Sequence, residues 1–170
     1  MKILHISNFV QKHDGRLYWN HCFKINNGFI RNGHNVLSFS DRDVGRQDLI
    51  NKINNNKTLN NKLIKTFKNF YPDLVVIGHA DKIHNSTLAE FKSINKNIKI
   101  IEWNVDNYYL DNTESKFKNR SHVIDAFFIT NADESLGSCL TNNNSISFFP
   151  NIFDKSIESN KIFELDSYQF

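Results

Sequence analysis

A histidine and an aspartate stand side by side at His13 and Asp14, in the polar segment that follows the first apolar run of the sequence. An imidazole titrates near neutrality and can take a proton from a hydroxyl group, and an adjacent carboxylate can orient it. The pair is therefore a candidate general base. Gly15 and Arg16 complete the segment and are candidates for substrate binding. Asp-Gly is also an ordinary turn dipeptide, so an exposed turn without chemistry stays open as the alternative.

Two carboxylates flank an arginine at Asp41, Arg42 and Asp43, directly after a short apolar run. Such a cluster could hold a polar substrate. It could equally be a structural knot in which Arg42 ties two loops together, and this second interpretation is the favoured one.

His79 ends residues 73–79, the clearest strand-like run in the chain. It is a further candidate for substrate binding. The alternative is a hydrogen-bonded core histidine, which is the commoner role for a histidine at the end of a buried strand.

Asp106 and Asn107 form a fourth candidate group because aromatic residues surround them. Aromatic faces can stack on sugar rings, and carboxylate and amide groups can bind hydroxyls, so the group resembles a sugar-binding surface. The aromatic neighbours are Trp103, Tyr108 and Tyr109. Simple packing of these aromatics near a strand end is the alternative.

An alternation of strand-like and helical patterns must position these residues. Short apolar runs predict strands, and apolar residues spaced three and four apart predict amphipathic helices between them. The predicted strands are residues 3–9, 35–39, 73–79, 98–103, 126–130 and 145–150, and the predicted helical regions are 19–30, 46–70 with a break, 86–94 and 133–140. Consecutive β-branched residues in 73–79 indicate burial on both faces. The pattern predicts an α/β fold with a doubly wound, mainly parallel sheet in residues 1–150.

Every predicted strand but the last is followed by a polar segment. In an open parallel sheet the carboxyl ends of the strands share one edge, and ligands bind outside that edge. We therefore expect the candidate residues to converge on a common rim. The segments are residues 12–16, 40–43, 79–82, 104–109 and 131–134.

Composition and missing motifs exclude several classes of function. The chain has 21 basic and 18 acidic residues and a formal charge of +3, which gives no electrostatic case for nucleic acid. No apolar stretch approaches the roughly 20 residues of a membrane helix, so a soluble cytoplasmic protein is expected. Cys22 and Cys139 lack metal or redox spacing and are expected to be reduced apolar fillers. With no glycine-rich phosphate loop, zinc spacing or hydrolase elbow, neither a cofactor nor a metal is expected.

Residues 14–43, DGRLYWNHCFKINNGFIRNGHNVLSFSDRD, resemble the start of GT-B glycosyltransferases of the spore-maturation-protein-like, glycosyltransferase family 1-like bacterial group. The shared elements are a DGR loop, a helix ending in GFIRNGH and a strand ending in SDRD. Further stretches fall in the same order as in that group, and the resemblance covers roughly residues 1–155. They are PDLVVIGHAD, IIEWNVDN, DAFFITNADE and FFPNIFD.

The resemblance implies a two-domain enzyme that transfers a sugar from a nucleotide-sugar to a hydroxyl, without a protein-bound metal. Its N-terminal Rossmann-like domain binds the sugar or glycan acceptor, and a base on its rim maps onto His13 or Asp14. The donor domain would begin near residues 150–154, where this sequence ends soon afterwards. Residues 151–170 are then a tail or the start of that domain. The chain is expected to be an acceptor-binding half, inactive without a donor domain or partner chain.

A stand-alone flavodoxin-like binding or regulatory module without catalysis is the alternative. It would share the fold and lack a donor domain altogether.

Overall fold

One six-stranded parallel sheet organises the chain in the computed structural model, which describes residues 1–46, 54–106, 113–132, 137 and 144–159. The strands are β1 (Lys2–Ser7), β2 (Asn35–Ser40), β3 (Leu74–Gly78), β4 (Lys99–Asn104), β5 (Ala126–Ile129) and β6 (Ser145–Phe148). They lie in the order β2-β1-β3-β4-β5-β6, and each neighbouring pair is parallel. The predicted parallel α/β sheet is confirmed.

Helices connect the first five strands in the alternating manner that the sequence predicts. A 3₁₀ turn at Gln11–His13 and α1 (His21–Arg31) lie between β1 and β2. The remaining helices are α2 (Asp41–Arg46) and α3 (Lys57–Phe70) before β3, α4 (Asn85–Ile94) before β4, α5 (Thr113–Arg120) before β5, and α6 (Lys155–Glu158) after β6.

The two faces of the sheet carry separate apolar layers. On one face, Leu4 and Ile6 of β1 pack in a cluster with Leu63, Phe67 and Phe91 of α3 and α4. On the other face, Ile3, Val76 and Trp103 cluster with Cys22 of α1. Helices therefore cover both faces, which makes the sheet doubly wound.

Two local sequence signals act as expected. Leu74–Gly78 is almost wholly buried, as its consecutive branched residues indicate. Gly33 follows the end of α1 with φ +76, and its N–H bonds to the carbonyl of Ile30. A side chain there would be strained, so glycine ends the helix.

The segment after β2 differs from the expected loop. Asp41–Arg46 forms a short helix that begins directly at the end of the strand, with Asp41 and Asp43 in its first turn. Carboxylates in that position are favoured by the helix dipole, which is a helix-start signal that the turn-like appearance of the segment obscured. The break predicted in the Asn-rich stretch falls at residues 54–56, where Asn55 and Asn56 have positive φ, at 52 and 61, and α3 begins at Lys57. The predicted helix 133–140 lies, apart from residue 137, outside the described residues.

Residues 150–159 pack against α1, although their sequence shows no regular pattern. Asp154 is buried and accepts hydrogen bonds from Asn27 Nδ2 and Arg31 NH1, both at 2.7 Å. It also caps α6, since its side chain accepts from the backbone N–H of Ser156. Glu158 completes the contact with an ion pair to Lys24.

Cys22 is a buried free thiol, as expected, and burial raises its pKa to about 12. Cys139 lies outside the described residues. None of the helices that the structure describes has the length and apolar content of a membrane span.

Candidate functional site

The sheet changes winding direction between β1 and β3. These strands are neighbours, but the connection leaving β1 covers one face and the connection entering β3 covers the other. Such a reversal leaves a crevice at the carboxyl ends of the strands, where ligands of open parallel sheets bind. A cavity of about 320 Å³ lies there, which we call the switch-point cavity. It is lined by Ser7, Asn8, Asn20, His21, Arg42, His79, Val105 and Asp106.

His79 and Asp106 form a polar wall of the switch-point cavity. Nδ1 of His79 lies 3.5 Å from a carboxylate oxygen of Asp106. The His79 side chain is 29% exposed, so it is a rim residue and the core-histidine interpretation is wrong. Its backbone has φ +48, a left-handed conformation that costs energy for a residue other than glycine. Strain of this kind clusters at functional sites.

Trp103 supports His79 from beneath the rim. The two rings meet edge to face with their centroids 5.2 Å apart. Gly78 makes room for the indole, because a Cβ built on Gly78 would lie 1.9 Å from Trp103 Cε2. Trp103 is 4% exposed, so it packs in the core and does not offer a face for stacking on sugar. Asn107, Tyr108 and Tyr109 lie outside the described residues.

A chain of polar contacts that begins in the core fixes Trp103 in turn. Its indole Nε1 donates to Nε2 of His5 at 3.1 Å, and Nδ1 of His5 lies 2.8 Å from Oδ1 of Asn26. Asn26 then donates to Ser38 Oγ. Burial lowers the pKa of His5 to about 4, although Asn26 opposes the shift, so the ring is neutral. Sequence patterns did not single out His5. The signal that could have identified it is a histidine within an apolar strand that faces an asparagine on the covering helix.

Arg42 ties two polar segments together, which confirms the structural interpretation of the Asp-Arg-Asp cluster. Its guanidinium donates to Asp81 Oδ2 at 2.9 Å, and Lys116 lies 3.6 Å from the other oxygen of Asp81. Burial opposes ionisation of Asp81, but the positive charges of Lys116 and Arg42 outweigh that effect and lower the pKa of Asp81. Arg42 also lines the switch-point cavity, so a role in substrate binding stays a prediction.

Asp43 holds the first polar segment at the rim. It accepts from the backbone N–H groups of Gln11 and Lys12 and from the hydroxyl of Ser40. Burial alone would raise the pKa of Asp43, but these hydrogen bonds lower it. The carboxylate of Asp43 therefore makes structural hydrogen bonds within the protein.

The four candidate residues of the first polar segment, His13, Asp14, Gly15 and Arg16, lie in a turn outside the switch-point cavity. Asp14 and Gly15 both have positive φ, at 51 and 81, and with Arg16 they are exposed. His13 is half-buried, and partial burial together with Lys12 and Arg16 lowers its pKa. None of the four lines the switch-point cavity. Their catalytic and binding roles stay predictions.

Asp41 is fully buried, and neither of its carboxylate oxygens has a hydrogen-bond partner. Burial raises its pKa to about 6, against weaker opposing effects of the Lys82 and Arg42 backbone. Because Asp41 does not line the switch-point cavity, it is poorly placed for the substrate contact that the sequence suggested.

A second cavity adjoins the first on the far side of His79 and Asp106, which line both. It has a volume of about 360 Å³ and lies between α4 and α5, so we call it the α4–α5 cavity. Glu102 and Arg120 pair within its wall at 3.1 Å. The sequence signal for this pair is a charged residue inside the apolar strand IKIIEW.

Comparisons with protein-family models, with curated proteins and with solved structures found no match for this chain. Function must therefore be inferred from the rim itself.

Proposed function

We propose that this domain binds a sugar or glycan acceptor for a GT-B-type glycosyltransferase and deprotonates the acceptor hydroxyl. The observation that carries the proposal is the His79–Asp106 pair, which stands in the wall of a polar cavity at the switch point of a doubly wound sheet. The resemblance of residues 14–43 to that group supports it independently.

His79 acts as the general base in this proposal, in place of His13. Asp106 faces Nδ1, so a proton on Nδ1 is favoured there and Nε2 is left to accept the proton of the acceptor hydroxyl. The oxygen then attacks the anomeric carbon of the donor sugar, and the nucleotide leaves. Asp106 stabilises the imidazolium that forms, because opposite charges attract across the short gap.

The rest of the lining suits hydroxyl groups. Ser7, Asn8 and Asn20 offer neutral donors and acceptors, and Arg42 supplies a charged donor. Burial lowers the pKa of His21, with a further contribution from Lys24, so its imidazole can also accept a hydrogen bond. The nucleotide-sugar would bind a second domain or a partner chain.

Amide NMR spectra of the chain titrated with glucose, galactose and N-acetylglucosamine test the proposal. At least one sugar should shift the resonances of Asn8, Arg42 and His79. His79→Gln and Asp106→Asn should weaken that binding about tenfold, since each removes one hydrogen bond to a charged or polar partner.

His34→Gln is the matched control, because His34 precedes β2 at the opposite edge of the sheet. It should bind like the unaltered chain. Absence of shifts with all three sugars would contradict acceptor binding. Transfer or hydrolysis of a sugar nucleotide by this chain alone would contradict the proposal that the nucleotide-sugar binds a second domain or a partner chain.

A binding or regulatory module without catalysis is the second candidate, because the order β2-β1-β3-β4-β5 is that of flavodoxin-like sheets. Titration with FMN separates the two. FMN shifts at the switch-point cavity without any sugar shifts would favour the module.

A further inference from the structure

The α4–α5 cavity contains a buried acceptor atom without a partner. Oε2 of Glu102 is closed off from bulk solvent and makes no hydrogen bond, while Glu102 lines the cavity wall. An unpaired polar atom in such a place costs free energy, so a buried carboxylate oxygen needs a donor.

The nearby cations do not supply that donor. NH1 of Arg120 donates to Oε1 of Glu102, and NH2 donates to the backbone carbonyls of Ala80 and Ile83. Lys116 pairs with Asp81. Arg120 therefore fixes Glu102 in place and leaves Oε2 as the free position.

A hydroxyl group suits this position better than an amine. Burial raises the pKa of Glu102 against the opposing charge of Arg120. A hydroxyl can donate to the carboxylate or accept from the protonated acid, whereas an ammonium could only donate. Lys116 and Arg120 would also repel an ammonium.

The remaining lining matches a sugar ring. Asn85, Asn119 and His84 offer further polar groups, and the nearly buried Ile83 and Phe117 contribute only small apolar areas to the wall. The volume of about 360 Å³ lies within the range of small-molecule sites.

We infer that the α4–α5 cavity is a second sugar-binding subsite, in which Oε2 of Glu102 bonds to a ligand hydroxyl. Because His79 and Asp106 line both cavities, one ligand of at least two sugar units can pass over this pair and occupy both. The inference rests on the proposed function and extends it, since it makes the acceptor an oligosaccharide.

Titration of the chain with cellobiose, lactose and N,N′-diacetylchitobiose, each compared with its monosaccharides, tests the inference. A disaccharide should shift amide resonances of both cavities, including Asn85 and Asn119, and bind more tightly than either of its sugars. Glu102→Gln should weaken disaccharide binding about tenfold and leave monosaccharide binding at the switch-point cavity unchanged.

Two further variants keep the result interpretable. Glu114→Gln makes the same change on the exposed first turn of α5 and should have no effect. Asn119→Trp fills the cavity mouth from an exposed position, so it should abolish the disaccharide advantage even if Glu102→Gln does not fold.

The outcomes separate the two proposals. Sugar binding confined to the switch-point cavity, with equal affinities for single and double sugars in all variants, would overturn the second subsite and leave the proposed function standing. It would also mean that water satisfies Glu102. Absence of any sugar shift would overturn both.

Discussion

The indole nitrogen of Trp103 donates a hydrogen bond to Nε2 of His5, across 98 positions of sequence. Nε2 must therefore be the acceptor, and Nδ1 carries the proton that is donated to Asn26. The bond links β4, the strand that carries Trp103, to β1 across the intervening β3. His79 contacts the same indole edge to face.

Trp103→Phe should destabilise the fold. Phenylalanine keeps an aromatic ring but removes the donor, so Nε2 of buried His5 is left unpaired. We expect the free energy of unfolding in urea to fall by about 2 kcal/mol. Trp19→Phe, at a half-exposed indole, is the control and should change little. Equal stability of both variants would mean that the bond contributes nothing.

Gly78→Ala should also destabilise the fold, because the new methyl group would occupy space held by the Trp103 ring. Overpacking of this kind costs about 1–3 kcal/mol, measured by urea unfolding. Gly28→Ala makes the same change in α1, where nothing lies within 4 Å of the added atom. It should raise stability by about 0.5–1 kcal/mol through helix propensity. A neutral effect at Gly78 would show that the indole moves freely.

His79→Gly should separate stability from binding. Glycine relieves the left-handed backbone, so stability should stay constant or rise by up to about 1 kcal/mol, while sugar shifts in NMR spectra are lost. Tyr71→Gly relieves the same conformation at the exposed end of α3 and should stabilise without touching binding. A large loss of stability in His79→Gly would assign His79 a structural role.

Asp41→Asn should stabilise the protein at neutral pH and have little effect near pH 4. Folding raises the pKa of Asp41 from 3.8 to about 6, so the folded state binds this proton more tightly than the unfolded state. The stability of the unaltered chain therefore falls as pH rises through that window, by up to about 3 kcal/mol. Asparagine has no such proton, and the difference between the two urea-unfolding curves across pH isolates Asp41. A difference that is constant with pH would contradict the raised pKa.

Asp154→Ala should release residues 151–159 from α1. Burial would raise the pKa of Asp154, but hydrogen bonds from Asn27, Arg31 and Ser156 hold it well below the usual value. The anchor is therefore complete at neutral pH and is lost only in strong acid. We expect faster tryptic cleavage after Lys155 in the variant, with Ser159→Ala as an exposed control. Unchanged cleavage would show that other contacts hold the segment.

Periodic and local signals were enough to predict the sheet. The branched run in β3 and the helix-ending Gly33 act through neighbours in sequence, so their consequences could be read from short windows. The convergence of the segments 40–43, 79–82 and 104–106 on one cavity also followed, because parallel strands bring their carboxyl ends to one edge.

Contacts between distant segments could not be predicted in this way. His5 meets Trp103 and Asp154 meets Arg31 only after the chain has folded. His79 was expected in the core because its strand is buried, but its left-handed backbone turns the side chain onto the rim. The exposure of a single residue at a strand end depends on such a local conformation, which apolar periodicity does not encode.

The interior position of β1 in the sheet has a consequence for synthesis. β1 comes before β2 and β3 in the chain, yet it hydrogen-bonds to both. A nascent chain leaving the ribosome must therefore keep one edge of this apolar strand unpaired until Gly78 has emerged. Exposed strands of this kind invite aggregation, so chaperone binding during translation should centre on residues 2–7.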